Sequence, residues 1–459
     1  MVNFAKEKEQ MQEIKGFSKL SKQAKMEWIA NTYFNGDQTV IDNLKSYWHS
    51  DESIQKLHDE FVENTITNFY LPLGVAPNFE INDKVYCVPM AIEESSVVAA
   101  AAKSAAFWKE RGGFKATVSN TNKVGHVHFI WKGRNPASLV EWFNNNKSIF
   151  LEETQRLTAN MEARGGGIKS ISLENKTHLE KGYYQLEAQF ETIDAMGANF
   201  INSCLEQFSK TLESGLHSST LAESEKEVEI IMCILSNYTP DCLVKVEVSC
   251  PVDELNVEGS VPPLEFAEKF IRAINIANIE PYRATTHNKG VMNGIDAVAL
   301  ATGNDFRAIE ASAHAYASKD GQYKSLTNAT IDPDGIFRFW IEVPMAVGTV
   351  GGITNLHPTV KFCHKLLGNP KAKELMMIIA STGLAQNFGA VRSLVTTGIQ
   401  KGHMKMHLFN ILNQLEATET EKETIRKEFE TKTVSHKAVI DAFCQLRGIK
   451  VDRKIRKEI

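Results

Sequence analysis

Lys289 is the single lysine in a stretch of small and polar residues from Pro281 to Glu310, where it stands between Asn288 and Gly290. A fixed ammonium in such a setting can stabilise an oxyanion or act as a shifted base. Asp305, in the knot Gly303-Asn304-Asp305, is a carboxylate that could keep it charged. The bland reading is an exposed turn lysine and a helix-capping Asn-Asp pair. Glu93 and Glu94 open an alanine-rich run. They either complement a helix dipole or, held in an apolar crevice, offer a carboxyl with a raised pKa that can donate a proton. Asp194-Ala195-Met196-Gly197-Ala198-Asn199 opens another helix, and free N–H groups there could seat a phosphate; an N-cap by Asp194 is the plainer account. Gln386 and Asn387 lie in an otherwise apolar helix and need partners, from a ligand, another subunit or the chain itself. His403 follows a glycine-flanked hinge and reads as a free, titrating group on a closing lobe. His126/His128 and His403/His407 pair at strand and helix spacing, yet neither pair has a third ligand, so no metal is expected.

The elements that must position these groups belong to a chain of 459 residues, long enough for two or three domains. With 43% hydrophobic and 23% charged residues and a net charge of −5, it carries no basic footprint for nucleic acid or an anionic membrane. No apolar run reaches the length of a membrane span. The opening M-V-N-F-A-K-E-K-E-Q lacks the apolar core of a secretory signal, and seven scattered cysteines form no C-x-x-C pair. A cytoplasmic protein is expected.

Residues 1–60 read as a polar helical arm, with Ser21 an N-cap. Val85 to Met90 reads as a strand, and ~94–111 as a helix closed by Gly112-Gly113. V-G-H-V-H-F-I-W-K alternates as a strand. A helix from Ser138 to Glu162, the glycines 165–167, and strands over Ile168–Leu173 and Gly182–Ile193 follow. This is the pattern of an inserted α+β domain. No G-x-G-x-x-G lies between a strand and a helix, which excludes a Rossmann domain; Gly348-Thr349-Val350-Gly351-Gly352 has the wrong spacing. Ala372 to Gln400 reads as a long helix with a break near Gly383, and a short helix runs from His436 to Leu446.

Seven collinear stretches resemble one family, the soluble bacterial-type (class II) 3-hydroxy-3-methylglutaryl-coenzyme A reductases. They are E-N-T-I-T-N-F-Y-L-P-L-G-V-A, E-E-S-S-V-V-A-A-A, D-A-M-G-A-N, R-A-T-T-H-N-K-G-V-M-N-G-I-D-A-V-A-L-A-T-G-N-D, A-H-A-Y-A-S-K-D-G-Q-Y, G-L-A-Q-N and G-I-Q-K-G-H-M. The resemblance implies an α+β protein: a large, mainly helical substrate-binding domain, an inserted small ferredoxin-like, non-Rossmann dinucleotide-binding domain, and a C-terminal helical flap. The boundaries expected are 1–119 and 239–398 for the large domain, 120–238 for the small one, and 399–459 for the flap. It implies double reduction of the thioester of HMG-CoA to mevalonate and free coenzyme A, in the mevalonate pathway of isoprenoid precursor biosynthesis. Oxidative, NAD-dependent mevalonate degradation and an inactive coenzyme A-binding homologue are the alternatives.

By the same resemblance Glu94 matches the proton-relaying glutamate, Lys289 the oxygen-stabilising lysine, Asp305 the aspartate that tunes both, and His403 the flap histidine that protonates the coenzyme A thiolate. Ser96, Arg283 and Asn293 match positions that hold the substrate's acid end, and Gln386 a further contact. Asp194, Met196, Gly197, Asn199 and Asn237 match cofactor contacts. Three departures stand out. Ser95 replaces a frequent proline after the glutamate. Ser18, beside Lys19, stands where some members place an arginine toward the coenzyme A phosphates. Thr158 stands where NAD-preferring members place an aspartate for the ribose 2′-hydroxyl, with Arg156 nearby; loss of that carboxylate favours NADPH, with NADH the alternative. A homodimer is implied as the minimal active unit, which in the family can assemble further into a hexamer.

Overall fold

The computed structural model describes residues 13–257, 261–396, 408–429, 432 and 434–449. The chain divides into two compact units, 1–72 and 73–459.

The first unit is helical: α1 (Lys22–Tyr33), α2 (Gln38–Ser46) and α3 (Glu52–Asp59). Each begins at a short polar cap, Ser21, Asp37 or Asp51, whose side-chain oxygen accepts first-turn N–H groups. Ser21 caps as the sequence predicts. Met26, Ala30 and Ile41 form the small core, and Trp48 closes it with Nε1 donating to Ile66 O at 3.0 Å.

The second unit opens with the antiparallel hairpin β1 (Leu73–Ile81) and β2 (Lys84–Ala91). Asn82 and Asp83 both take positive φ, the two-residue turn that matches strand twist. Then come α4 (Val97–Lys109), β3 (Lys115–Val118), β4 (Lys123–Trp131), α5 (Pro136–Glu162), β5 (Gly167–Asn175), β6 (Tyr183–Glu191), α6 (Ala198–Ser218), β7 (Val228–Leu235) and β8 (Leu243–Pro251). After these run α7 (Pro263–Ile279), α8 (Pro281–Ala301), α9 (Phe306–Ala317), β9 (Thr327–Ile331), β10 (Ile336–Pro344), α10 (Pro358–Leu366) and α11 (Ala372–Val395).

Two four-stranded antiparallel sheets result. One has the order β5-β6-β4-β7; with α5 and α6 this is the ferredoxin-like βαββαβ arrangement. β6 alternates strictly between buried and half-buried positions. Its core gathers Phe129, Trp131, Phe150, Phe190 and Phe208. The other sheet has the order β3-β8-β10-β9 and shares a larger core with α4, α7, α8 and α11, where Trp108 lies among Phe107, Phe337 and Phe388. The backbone passes between the sheets twice, from β3 to β4 and from β7 to β8. The two passages lie side by side, with Ser119 N donating to Leu243 O at 2.9 Å and Leu243 N to Asn120 O at 3.2 Å. A third core, from Leu408 to Cys444, is built with helices Glu419–Glu428 and His436–Arg447.

Three expectations are corrected. Lys289 stands in no turn: Pro281–Ala301 is one continuous helix, with Pro281 in its first turn and the Glu280 carboxylate accepting from Tyr282 N and Arg283 N. The alanine-rich helix begins at Val97, so Glu94 lies in the loop before it. And α11 runs unbroken through Gly383. That glycine is a contact, because a Cβ there would stand 2.7 Å from Ile295 of α8; Gly294 is its counterpart, 2.6 Å from Thr382 O. The two helices therefore cross at backbone distance.

Candidate active site

β2 delivers the chain to the loop Ile92–Ser96, and α8 passes beside it. Lys289 Nζ donates to Glu94 Oε2 at 2.6 Å. Asn293, one turn further along α8, donates to the same oxygen at 3.3 Å; turned over, its amide oxygen accepts from Lys289 Nζ at 3.2 Å. The lysine side chain is 60% exposed, so the pair adds little stability. What it provides is a charged donor with a proton partner on a rigid helix face.

Arg283 lies six residues before Lys289, about 9 Å along the helix axis. It has no ion pair among the described residues, and burial holds its guanidinium below the usual pKa. A half-buried cation without a carboxylate suits an incoming carboxylate. Ser96 enters α4 with φ 71, a left-handed conformation rare outside glycine, and its hydroxyl makes no capping bond. Gln386, at the α8–α11 crossing, has a buried Oε1 without a partner among the described residues. Its neighbour Asn387 is satisfied within the chain: Oδ1 accepts from Thr327 Oγ1 at 3.0 Å and Nδ2 donates to His287 O at 3.3 Å.

Asp305 makes no hydrogen bond to Lys289 or Glu94 among the described residues. It caps α9, its Oδ1 accepting from Arg307 N and Ala308 N at 3.1 Å each. Its loop is anchored twice: His364 bonds Thr302 O at 3.0 Å, and Asn304 Oδ1 accepts from Gly348 N at 2.8 Å.

The Asp194–Asn199 segment lies against that same glycine turn. A Cβ on Gly348 would stand 2.5 Å from Met196 N, and Thr349 N donates to Asp194 O at 2.8 Å. Asp194 does not cap α6. Its Oδ1 accepts from Ala372 N at 2.8 Å, at the start of α11. The cap of α6 is Gly197 at φ 89 with no side-chain bond, and a Cβ there would meet Thr192 at 2.4 Å. The first-turn N–H groups of α6 are thus left open for an anion. Asn237 lines the adjoining pocket with Met196, while Asn199 is exposed.

Thr158 is not where the sequence comparison expected it to act. It is 1% exposed, with its hydroxyl turned to Gln155 O at 3.3 Å, and in this conformation it cannot reach a ribose. Arg156 is exposed on another face of α5. His403 lies outside the described residues. Among the described residues no group of His, Cys, Asp or Glu could hold a metal; His126 faces Glu187 and His128 bonds Tyr183.

Two groups, one partly and one fully buried, escaped the sequence reading. Asp296, one turn beyond Asn293, is pushed well up by burial and then by Glu310 of α9. Its only signal was an acid inside the apolar run G-I-D-A-V. Lys123 is 4% exposed, and nothing in its strand marked it.

Residues 22–408 match the family model for hydroxymethylglutaryl-coenzyme A reductase. The chain is 36% identical over 405 residues to the 3-hydroxy-3-methylglutaryl-coenzyme A reductase of Archaeoglobus fulgidus, covering 88% of each. It is 34% identical over 364 residues to the probable reductase of Borreliella burgdorferi, covering 78% of this chain and 80% of that one. The fold is similar to a class II 3-hydroxy-3-methylglutaryl-CoA reductase from Streptococcus pneumoniae bound to NADPH in open conformations, with a TM-score of 0.69 and 35% identity over 90% of this chain and 99% of that one. With the Glu94–Lys289 pair and the open α6 terminus, these likenesses place the chain in the hydroxymethylglutaryl-coenzyme A reductase family, in its class II branch.

Proposed function

We propose that the protein reduces the thioester of HMG-CoA to mevalonate and free coenzyme A, consuming two NADPH and two protons. The observation that carries the reading is the Lys289–Glu94 contact at 2.6 Å, set on the same helix as Arg283, which has no ion pair among the described residues.

Bound NADPH would supply hydride in each step. Lys289 would meet the carbonyl oxygen as negative charge builds on it, from a position already fixed by α8. Glu94 orients the ammonium and passes a proton through it to that oxygen. Asp305, held on a doubly anchored loop, would add the field of its carboxylate to the lysine's. Arg283, Ser96 and Asn293 would hold the substrate's acid end, with Gln386 Oε1 a further acceptor. His403, on the C-terminal flap, would protonate the departing thiolate. Met196, Gly197, Asn199 and Asn237 would hold the cofactor. Asp194 supports that loop from below, and Arg156 supplies the cation that favours a 2′-phosphate.

The division at 1–119, 120–238, 239–398 and 399–459 is supported by the separate cores around Phe129, Trp108 and Leu412. A homodimer is the minimal unit in this reading. The edge strand β7 leaves Ile231, Met232 and Ile234 about half-exposed, an apolar margin a second copy would cover. A cytoplasmic setting fits the seven free cysteines, and among the described residues no helix is long and apolar enough to cross a membrane.

The test mixes purified protein with HMG-CoA and NADPH or NADH in parallel. Oxidation of two nicotinamides per coenzyme A thiol released is the expected result. No oxidation with either, in protein that is folded and oligomeric, overturns the reading.

A further inference from the structure

The stretch A-H-A-Y-A-S-K-D-G-Q-Y, residues 313–323, holds no side chain that the proposed chemistry uses. Its path in the fold gives it a task. It ends α9 and turns into the loop 318–326, which runs against the first half of α8 on its way to β9. The loop backbone is fastened to two helices: Lys324 N donates to Ala317 O of α9 at 3.0 Å, and Ser325 N to Ala277 O of α7 at 3.2 Å. A third fastening is to α8 itself. The fully buried Asn288 clasps the loop with both ends of its amide, Nδ2 donating to Lys324 O at 2.8 Å and Oδ1 accepting from Leu326 N at 2.9 Å. One residue earlier, His287 Nε2 bonds Thr327 Oγ1 at 2.6 Å. The Tyr323 hydroxyl ties the loop back to α9, 2.7 Å from His314 Nδ1. Burial raises the pKa of that phenol, and the Asn288 amide beside it draws it part of the way back.

Lys289 comes directly after this clasp. Successive side chains on a helix stand about 100° apart, so holding Asn288 in one direction holds Lys289 in another. The close glycine crossing with α11 lies further along, at Gly294; at Gly290 a Cβ would stand 4.0 Å from Asn387 Nδ2, an ordinary distance. The turn that carries Lys289 thus takes its hold from side-chain bonds. A rotation of α8 by about 15° would carry an ammonium roughly 8 Å from the axis about 2 Å aside. That is enough to part it from Glu94 Oε2, now 2.6 Å away. We propose that the loop 318–326 is a strap that fixes the rotation of α8, with Asn288, Tyr323 and His314 as positioning residues that act through Lys289. That Lys289 does chemistry rests on the proposed function, while the strap rests on these bonds.

The experiment compares Tyr323→Phe, His314→Ala and His314→Asn in the full-length protein, each also placed on Lys289→Ala. Tyr323→Phe should lower kcat about tenfold with HMG-CoA and with the free aldehyde alike, leave KM for HMG-CoA within about twofold, and shift the melting temperature by only a few degrees. His314→Ala should do the same. His314→Asn, which keeps a polar atom near the place of Nδ1, should recover most of the rate. On Lys289→Ala none of them should lower kcat further, because a residue that acts through another is silent in its absence. The same fall repeated on that background, or an unchanged kcat with a lowered melting temperature, overturns the proposal and leaves the loop a part of the core. A second readout needs no turnover: limited acetylation followed by mass spectrometry. Tyr323→Phe should raise the labelling rate of Lys289 severalfold against the other lysines, because a lysine no longer held against Glu94 meets the reagent more freely. An unchanged rate at Lys289 overturns the proposal. If the wild type oxidises no nicotinamide while that rate rises, the strap stands and the reductase reading falls.

Discussion

Two lysines sit in opposite electrostatic circumstances. Lys289 stands 60% exposed on a helix and touches a carboxylate at 2.6 Å. Lys123 is 4% exposed in a sheet and touches none among the described residues. Water and Glu94 stabilise the first as a cation before anything binds, so its charge is ready for chemistry. The second lacks both, and burial pulls its pKa down. Lys289 should therefore show itself in rates, and Lys123 in stability.

The largest break of that contrast comes from Lys289→Ala, which should lower kcat by roughly two or more orders of magnitude, as loss of a fixed oxyanion donor does. Its dissociation constant for NADPH should stay within about twofold of wild type; a larger change would mean that Lys289 serves binding as well as chemistry. Next, His403→Gln should slow the thioester step by about a hundredfold yet spare reduction of the free aldehyde, which releases no thiolate. Equal loss on both substrates would point to a folding or flap defect.

Acid should act on the scaffold beneath Lys289. His287, buried at the α8–β9–α11 junction, bonds Thr327 Oγ1 at 2.6 Å, and its Nδ1 has no partner among the described residues. Burial, with Arg283 adding to it, pushes its pKa down from 6.5 to about 3. The folded protein thus holds the neutral ring where the unfolded chain would take a proton. The stability this supplies is full above about pH 6.5 and is lost as pH falls toward 3, by a few kcal/mol. His287→Gln should flatten that limb in thermal melts across pH; an unchanged limb would assign it to carboxylates.

Smaller effects sharpen the cofactor side. Gly348→Ala must move the backbone of Met196, and should raise the NADPH dissociation constant about tenfold while costing about 1–3 kcal/mol in denaturant melts. The smallest effect belongs to Arg156→Ala, which should lower the ratio of kcat/KM for NADPH over NADH several-fold with no change in melting temperature.

Sheet strands were legible because burial alternates with period two, as in β4, β6 and β10. The helix carrying Lys289 was not. Thr285, Thr286, His287, Asn288 and Gly290 are poor helix formers, and the Glu280 cap and close tertiary packing, such as that of Gly294 on α11, override them. Of the adjacent amides Gln386 and Asn387, sequence could not say which was free, since the bonds that satisfy Asn387 come from β9 and α8. Asp194 was read as a local cap, but the helix it caps begins 178 residues later. Thr158 was placed by counting along a helix, and the count carried no information on which side faces inward. Lys123 was invisible because its burial arises from a chain crossing that pairs distant segments.

That crossing also bears on how the chain assembles. β3 and β8 are neighbours in one sheet, yet the whole ferredoxin-like body lies between them in sequence. Closing so long a loop by chance search is slow and costs entropy. Once the inserted body has folded, its entry and exit strands emerge together, bonded from Ser119 to Leu243. β3 and β8 then meet as the arms of a hairpin, with a finished domain as the turn. The inserted body thus serves as a template for the sheet beneath it, and a short designed turn could take its place.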